Sequence, residues 1–202
     1  MAVLDIDTPH GPARAHLHEP AAEPAGAVVL GHGAAGGVGA PDLVAATGVA
    51  TGLGFAVALV EQPYKVAGRK SVAPAGQLDT AWIAVLERLR PELPPGPLVT
   101  GGRSSGARVA CRTADAVGAA GVLCLAFPVH PPGKPEKTRL AELDAVGVPV
   151  LVVQGESDPF GMPPAAPERV VAAIRGNHGL KSDVNALRDA VGEWLAARAA
   201  GR

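Results

Sequence analysis

The sequence has few aromatic side chains and almost no net charge, and both shortages exclude classes of function. Only two Trp, one Tyr and three Phe occur in 202 residues. Proteins that bind single-stranded nucleic acids stack bases on aromatic side chains, so this composition argues against that class. The formal charge is -1, from 18 Lys plus Arg against 19 Asp plus Glu. We therefore expect neither a nucleic acid nor an anionic membrane surface as a partner.

Cysteines and long apolar runs are scarce as well. The two cysteines, Cys111 and Cys124, are too few for a disulfide framework or a zinc site. Both stand in apolar sequence, which predicts that they are small core residues. No apolar run approaches the roughly 20 residues of a membrane span, and the first residues lack the pattern of a secretory signal. We expect a soluble, cytoplasmic protein that needs no metal or other cofactor.

Glycine and proline are abundant, with 26 Gly and 20 Pro, yet 48% of the residues are hydrophobic. A chain of that hydrophobicity can bury a core, so the glycines and prolines indicate many turns and not disorder. The length favours one domain over residues 1–202. No insertion in it is large enough for a lid domain.

Short apolar runs alternate with longer helical patterns, which predicts an α/β fold with a mostly parallel central sheet flanked by helices on both faces. Central strands are predicted at residues 27–31, 55–60, 97–101, 121–125 and 148–153. Helices are predicted at residues 42–52, 77–90, 105–117 and 184–200. A weaker pair of runs, 3–6 and 13–17, indicates an antiparallel hairpin at a sheet edge. The two Trp residues lie on apolar helix faces, where packing against the sheet explains them.

One short motif follows a predicted strand and precedes a predicted helix. Residues 102–106 read Gly-Arg-Ser-Ser-Gly, which fits G-x-S-x-G. In that context the motif is typical of a nucleophile elbow, a strained turn that exposes a serine hydroxyl. Its spacing favours Ser104 as the nucleophile over Ser105, whose backbone N–H would help to bind an oxyanion. An ordinary glycine-rich turn with a capping serine is the alternative.

A serine nucleophile requires a base and a group that orients the base. Asp158 follows the strand predicted at 148–153, and His178 stands in a glycine-flanked loop before the last helix. Ser, Asp, His is the chain order of an α/β-hydrolase. Glu156 is a possible alternative acid. Taken singly, Asp158 could be a turn residue and His178 a surface residue.

A glycine-rich segment follows the first central strand. Residues 31–37, which we call the oxyanion loop, read Gly-His-Gly-Ala-Ala-Gly-Gly. Esterases take a second oxyanion donor from such a loop, and we expect the backbone N–H of Ala34 first and that of Ala35 second. The loop also matches G-x-G-x-x-G, and Glu61 ends the next strand as in dinucleotide-binding proteins. Against that reading, the glycines do not open a helix.

These segments together resemble a known family. The oxyanion loop, the elbow and residues 127–137, 154–161 and 177–181 resemble small α/β-hydrolases of the dienelactone-hydrolase-like group. They are most similar to its KANL/Tex-type branch, which joins testis-expressed proteins, a chromatin-complex subunit and bacterial homologues. The resemblance implies an α/β-hydrolase fold with Ser104, Asp158 and His178 as the triad. The sequence departs from that pattern after Asp158, where it is compressed, which suggests residues 169–174 as the last strand, reached by a proline-rich link instead of a full helix.

The proline-rich segment 127–137 is the most specific part of the resemblance. His130 and Lys134 in it, and His32 in the oxyanion loop, are candidate substrate contacts, whereas a rigid structural loop is the alternative for the segment. We expect a serine hydrolase that cleaves a small-molecule ester or thioester. A catalytically silent protein of the same fold, which binds a ligand or partner, is the second hypothesis.

Overall fold

The computed structural model describes residues 2–21 and 23–199. They form one sheet of eight strands in the order β1-β2-β4-β3-β5-β6-β7-β8. The strands are β1 Ala2–Ile6, β2 Ala13–His18, β3 Gly26–Gly31, β4 Phe55–Glu61, β5 Leu98–Arg103, β6 Gly121–Leu125, β7 Val150–Gly155 and β8 Arg169–Ile174. The helices are α1 Pro41–Gly52, α2 Pro63–Val66, α3 Ala75–Leu89, α4 Ser105–Thr113, α5 Leu140–Asp144 and α6 Val184–Ala199.

The sheet is parallel from β4 to β8, and the predicted hairpin lies at one edge. β1 pairs antiparallel with β2, which pairs antiparallel with β4, while the remaining neighbours run parallel. The predicted last strand, 169–174, is β8 at the other edge. Parallel strands bring their carboxyl ends to one side of a sheet. The segments that carry the elbow, the acid and the histidine therefore leave the sheet on the same side.

Helices cover both faces of the sheet. On one face α1 and α6 pack over the central strands, with Trp194 in that cluster. On the other face α3 packs with Trp82, and α4 and α5 enclose a third cluster that includes Cys111 and Cys124. Both thiols are free and buried, with their Sγ atoms 3.5 Å apart. The predicted core positions of the cysteines and tryptophans are thus confirmed.

The element boundaries differ from the sequence prediction in a few places. The predicted helix 105–117 ends at Thr113, because the chain turns through Gly118, whose φ is +62°. Two short helices, α2 and α5, were not predicted, since four or five residues are too few to show helical periodicity. Residue 200, the last of the predicted final helix, lies outside the described residues. Among the described helices, none has the length and apolar character to span a membrane.

Candidate active site

Ser104 occupies a strained turn between β5 and α4. Its φ is 53° and its ψ is -108°, a region that residues other than glycine rarely adopt. Such a conformation costs on the order of 1–3 kcal/mol and persists only where the surroundings enforce it. Here the backbone N–H of Ser104 donates to the carbonyl of Leu125 on the neighbouring strand, at 2.9 Å. The turn lifts the serine side chain above the carboxyl end of the sheet.

The two glycines of the motif allow the elbow to press against β3. A Cβ placed on Gly102 would lie 2.4 Å from the carbonyl oxygen of Gly31, and one on Gly106 would lie 2.5 Å from the same atom. Both distances are shorter than a carbon and an oxygen can tolerate, and the obstacle is backbone. Gly102 also has a φ of +157°. Any side chain at these positions would push α4 away from the oxyanion loop.

Replacement of Gly106 by alanine is expected to lower the free energy of unfolding by about 3 kcal/mol, because overpacking against rigid backbone must shift the elbow. Gly48, in the middle of α1, is a matched control, since a Cβ there meets nothing within 4 Å. Gly48→Ala is expected to raise the free energy of unfolding by about 0.5–1 kcal/mol. Urea denaturation of both variants measures the difference. A Gly106→Ala midpoint equal to that of the wild type would contradict the steric argument.

Asp158 lies in the turn after β7 and has hydrogen-bond donors on both carboxylate oxygens. Oδ2 accepts from Nδ1 of His178 at 2.8 Å and from Nε2 of Gln154 at 2.9 Å. Oδ1 accepts from the backbone N–H of Phe160 at 2.8 Å. The side chain of Asp158 is 1% exposed. A carboxylate this deeply buried needs such donors, since an unpaired buried charge is costly.

His178 lies in the loop between β8 and α6 and contacts both other members of the predicted triad. Its Nε2 is 3.0 Å from Oγ of Ser104. Because the carboxylate of Asp158 only accepts, Nδ1 carries the hydrogen and Nε2 accepts from the serine hydroxyl. The ring of Phe160 packs against the imidazole with centroids 4.3 Å apart. The structure therefore brings Ser104, His178 and Asp158 into one hydrogen-bond chain.

The histidine loop reaches Asp158 because it crosses the end of β7 closely. A Cβ placed on Gly155 would lie 2.5 Å from the carbonyl oxygen of Asn177. The backbone N–H of Ser157 donates to the carbonyl of Gly176 at 2.9 Å. Glu156, the alternative acid of the sequence analysis, is exposed at this point, and of the two acids Asp158 is the one that hydrogen-bonds the imidazole.

The oxyanion loop lies beside the nucleophile. A Cβ placed on Gly33 would be 3.5 Å from Cβ of Ser104, and Ala34 is the next residue. Within residues 2–21 and 23–199, the backbone N–H groups of Ala34 and Ser105 have no hydrogen-bond partner. Ser105 also begins α4, so its N–H lies at the positive end of the helix dipole. Within the described part of the chain, both N–H groups are thus unpaired in segments that adjoin Ser104. The second choice, Ala35, is exposed.

His32 is buried at the start of the oxyanion loop, and both of its ring nitrogens bond backbone groups. It is 2% exposed. Its Nε2 accepts the backbone N–H of Gln62 at 3.1 Å, so Nδ1 carries the hydrogen and donates to the carbonyl of Gly33 at 2.8 Å. Burial lowers the pKa of His32, which favours this neutral form. With both nitrogens occupied, the imidazole has none left for a substrate, in contrast to the sequence expectation.

The proline-rich segment 127–137 packs against the turn that carries the acid. The backbone N–H of His130 donates to the carbonyl of Phe160 at 3.3 Å, and its Nδ1 lies 3.0 Å from the carbonyl oxygen of Pro131. A Cβ placed on Gly161 would be 3.1 Å from Nε2 of His130. His130 thus lies near the site, against Phe160 and Gly161, and the ring of Phe160 in turn packs against His178. Lys134 is exposed farther along the segment.

The dinucleotide-binding alternative finds little support in this geometry. α1 begins only at Pro41, so the glycines of the oxyanion loop do not place a pyrophosphate at a helix N-terminus. Oε2 of Glu61, the candidate ribose ligand, lies 3.0 Å from Nε2 of His16 and forms an ion pair with it when His16 is protonated. Among the described residues, no group of three or more His, Cys, Asp or Glu side chains forms a metal site.

Gln154 was not predicted as a site residue, yet its amide contacts three segments of the site. Its side chain is fully buried, and Nε2 lies 2.9 Å from Oδ2 of Asp158, 2.8 Å from the carbonyl oxygen of Gly161 and 3.1 Å from that of Phe127, so its two N–H donors are shared among three acceptors. This amide joins β7, the acid turn and the segment 127–137. A glutamine at the end of an otherwise apolar strand was the available signal. Arg103 and Asp42, which also contact the site segments, were missed as well.

The family model described as "Alpha/beta hydrolase domain" matches residues 24–183 of the chain. Among solved structures, an α/β serine hydrolase without a lid from Xanthomonas campestris has a TM-score of 0.79 and 21% identity, covering 97% of this chain and 94% of the other. An α/β serine hydrolase homologue from Coxiella burnetii has a TM-score of 0.79 and 19% identity, covering 96% and 97%.

A Pyrococcus furiosus esterase is similar too, with a TM-score of 0.76 and 15% identity, covering 97% of this chain and 89% of the other. The search of curated proteins found no match. At these identities the structural neighbours show the fold alone. The architecture described above is the α/β-hydrolase fold that the sequence predicted, with an eight-stranded, mostly parallel sheet between layers of helices.

Proposed function

We propose that this chain, which belongs to the alpha/beta hydrolase domain family, is a serine hydrolase that cleaves a small carboxylic ester or thioester through an acyl-enzyme intermediate. The observation that carries the proposal is the continuous hydrogen-bond chain from Oγ of Ser104 through His178 to Asp158. Such a chain supplies a nucleophile, a base and a group that orients the base.

Each group has a role in acylation. Oγ of Ser104 attacks the carbonyl carbon while Nε2 of His178 accepts the hydroxyl proton. The imidazolium keeps its Nδ1–H on Oδ2 of Asp158, and the carboxylate stabilises the new positive charge. The backbone N–H groups of Ser105 and Ala34 donate to the oxyanion. Collapse of the tetrahedral intermediate then breaks the bond to the leaving group, which takes the proton from Nε2.

In deacylation a water molecule takes the place of Ser104 as the nucleophile. Nε2 of His178 accepts a proton from the water molecule that attacks the acyl carbonyl. The second tetrahedral intermediate releases the acid, and the proton returns from the imidazolium to Oγ of Ser104. Every proton in the cycle passes through one atom, Nε2, so no metal or cofactor is required by these steps.

The surroundings of Ser104 favour a small acyl group. The first helices that follow the carboxyl ends of β4 and β6 are short, the four-residue α2 and the five-residue α5. The neighbour from Xanthomonas campestris is described as lacking a lid. Phe160 is the aromatic ring that packs against His178. Long acyl chains need more apolar cover than this arrangement supplies.

We also propose a narrower family, a substrate contact and a location for this protein. The segment 127–137 supports a place in the dienelactone-hydrolase-like group and its branch with testis-expressed proteins. His130 remains a candidate substrate contact because it lies beside the acid turn. A small-molecule ester as the partner, and a cytoplasmic location, complete the proposed function.

The proposal is tested with purified protein, a fluorophosphonate probe and p-nitrophenyl esters of increasing acyl length. We expect covalent labelling of the wild type and a kcat/KM that is highest for acetate or butyrate and falls for octanoate and longer chains. Acyl thioesters of the same lengths in a parallel series distinguish the two leaving groups. Absence of both labelling and turnover would favour the catalytically silent protein instead.

A further inference from the structure

Arg103 precedes the nucleophile, and the proposed reaction leaves it without a role. It is the last residue of β5, and its side chain is 17% exposed. A guanidinium is always charged and has five N–H donors in a fixed plane. A charge held largely out of water needs partners. Arg103 has neighbours on three different segments of the site.

The first two of these segments contact the guanidinium directly. Nε lies 2.8 Å from Oδ2 of Asp42, in the first turn of α1. Nη2 donates to the backbone carbonyl of His178 at 3.0 Å. The third segment is the oxyanion loop, since a Cβ placed on Gly33 would lie 2.9 Å from Nη1. One planar group therefore touches the histidine loop, the oxyanion loop and the helix that follows that loop.

Asp42 depends on this arginine. Its side chain is 0% exposed, and its Oδ1 accepts the backbone N–H of Leu43 at 3.0 Å. Burial raises the pKa of Asp42, and the positive charge of Arg103 opposes that rise. Removing one partner of a buried ion pair leaves the other uncompensated, so the two residues hold each other in place.

We propose that Arg103 is a positioning residue that holds the oxyanion loop and the backbone of His178 in fixed places around Ser104. This inference rests on the proposed function. The imidazole of His178 can meet Oγ of Ser104 only if the backbone that carries it stays in place, and the N–H of Ala34 can reach an oxyanion only if the loop does. Small displacements of such groups have large effects on rate.

Lysine cannot replace arginine in this role. Its ammonium is a single point of charge on a flexible stem and lacks the fixed plane of donors, so we expect it to keep an ion pair with Asp42 and to lose the bond that Nη2 makes to the carbonyl of His178. Arg103→Lys therefore keeps the positive charge beside Asp42 but loses the hydrogen bond that positions His178. Arg103→Met removes both.

The experiment compares Arg103→Lys and Arg103→Met with Arg169→Met. Arg169 is a matched control, because it is 8% exposed, pairs with Asp144 at 2.9 Å and stands at the start of β8, so it lies at the amino ends of the parallel strands and not at the carboxyl ends that carry the triad. Two readouts are taken on each folded variant: kcat and KM for a short p-nitrophenyl ester, and the NMR resonance of the Nδ1 proton of His178, which reports its hydrogen bond to Asp158.

We expect Arg103→Lys to lower kcat on the order of 100-fold with little change in KM, and to shift or broaden the His178 resonance. Arg169→Met should leave both readouts as in the wild type. An unchanged His178 resonance in Arg103→Lys overturns the inference whatever the activity, and so does an equal effect of Arg169→Met. A wild type that neither labels nor turns over refutes the proposed function, whereas the resonance still decides the role of Arg103.

Discussion

Ser104→Ala is expected to abolish turnover, with kcat lower by on the order of 10⁵- to 10⁶-fold. The hydroxyl that His178 contacts at 3.0 Å is the atom that forms the acyl bond, and no other group can take its place. Alanine keeps the Cβ and the strained φ of 53°, so the fold should be retained. Turnover of p-nitrophenyl acetate and fluorophosphonate labelling measure the loss, and the urea midpoint checks the fold.

Two controls make this result specific to Ser104. Ser71 is exposed and takes no part in the hydrogen-bond chain of the triad, and Ser71→Ala should keep full activity and labelling. Fragmentation of the labelled wild-type peptide should place the phosphonyl group on Ser104 and not on Ser105, its neighbour in the motif. A Ser104→Ala protein that still labels, or a label on Ser105, would refute the assignment of the nucleophile.

Asp158→Asn has the second largest expected effect, a fall in kcat on the order of 10⁴-fold. The carboxylate accepts three hydrogen bonds, from His178, Gln154 and Phe160. An asparagine amide cannot accept on both sides. If its NH₂ group faces His178, the imidazole must accept at Nδ1, and Nε2 then carries the hydrogen and cannot act as a base. If its oxygen faces His178, the charge is still lost and the N–H of Phe160 meets another donor.

Glu156→Gln is the matched control for this variant. Glu156 stands two residues earlier in the same turn and its side chain is exposed. We expect wild-type kcat for Glu156→Gln, and kcat is measured for both variants with the same ester. If Glu156→Gln lost as much activity as Asp158→Asn, activity would depend on the conformation of the turn and not on the carboxylate that contacts His178.

Much of the fold was predictable because buried parallel strands carry a strong signal. Each central strand is a short apolar run next to glycine or proline, so the order of strands and helices follows from the sequence, and the turns after the strands locate the candidate site. Short elements were less predictable. α5 has five residues and contributes one buried side chain, Leu143, so it leaves no periodic pattern.

The roles of individual polar residues were harder to predict. His32 looks like a substrate contact in a glycine-rich loop, but its ring bonds Gln62, which is 30 residues away. Arg103 looks like a variable position of the G-x-S-x-G motif, but it bonds the carbonyl of His178, which is 75 residues away. Such partners are set by the way the strands align and not by local spacing.

The sequence by itself determined the α/β architecture, the strained serine turn and the chain order of serine, acid and histidine, because those features depend on local patterns. Only the tertiary structure decided that Asp158 and not Glu156 meets the imidazole, and that His32 braces the oxyanion loop. It also placed Arg103 between that loop and the backbone of His178. The physical reason is that hydrogen bonds between distant segments depend on how closely their backbones pack, and here glycines such as Gly106 and Gly155 allow contacts that no other residue would permit.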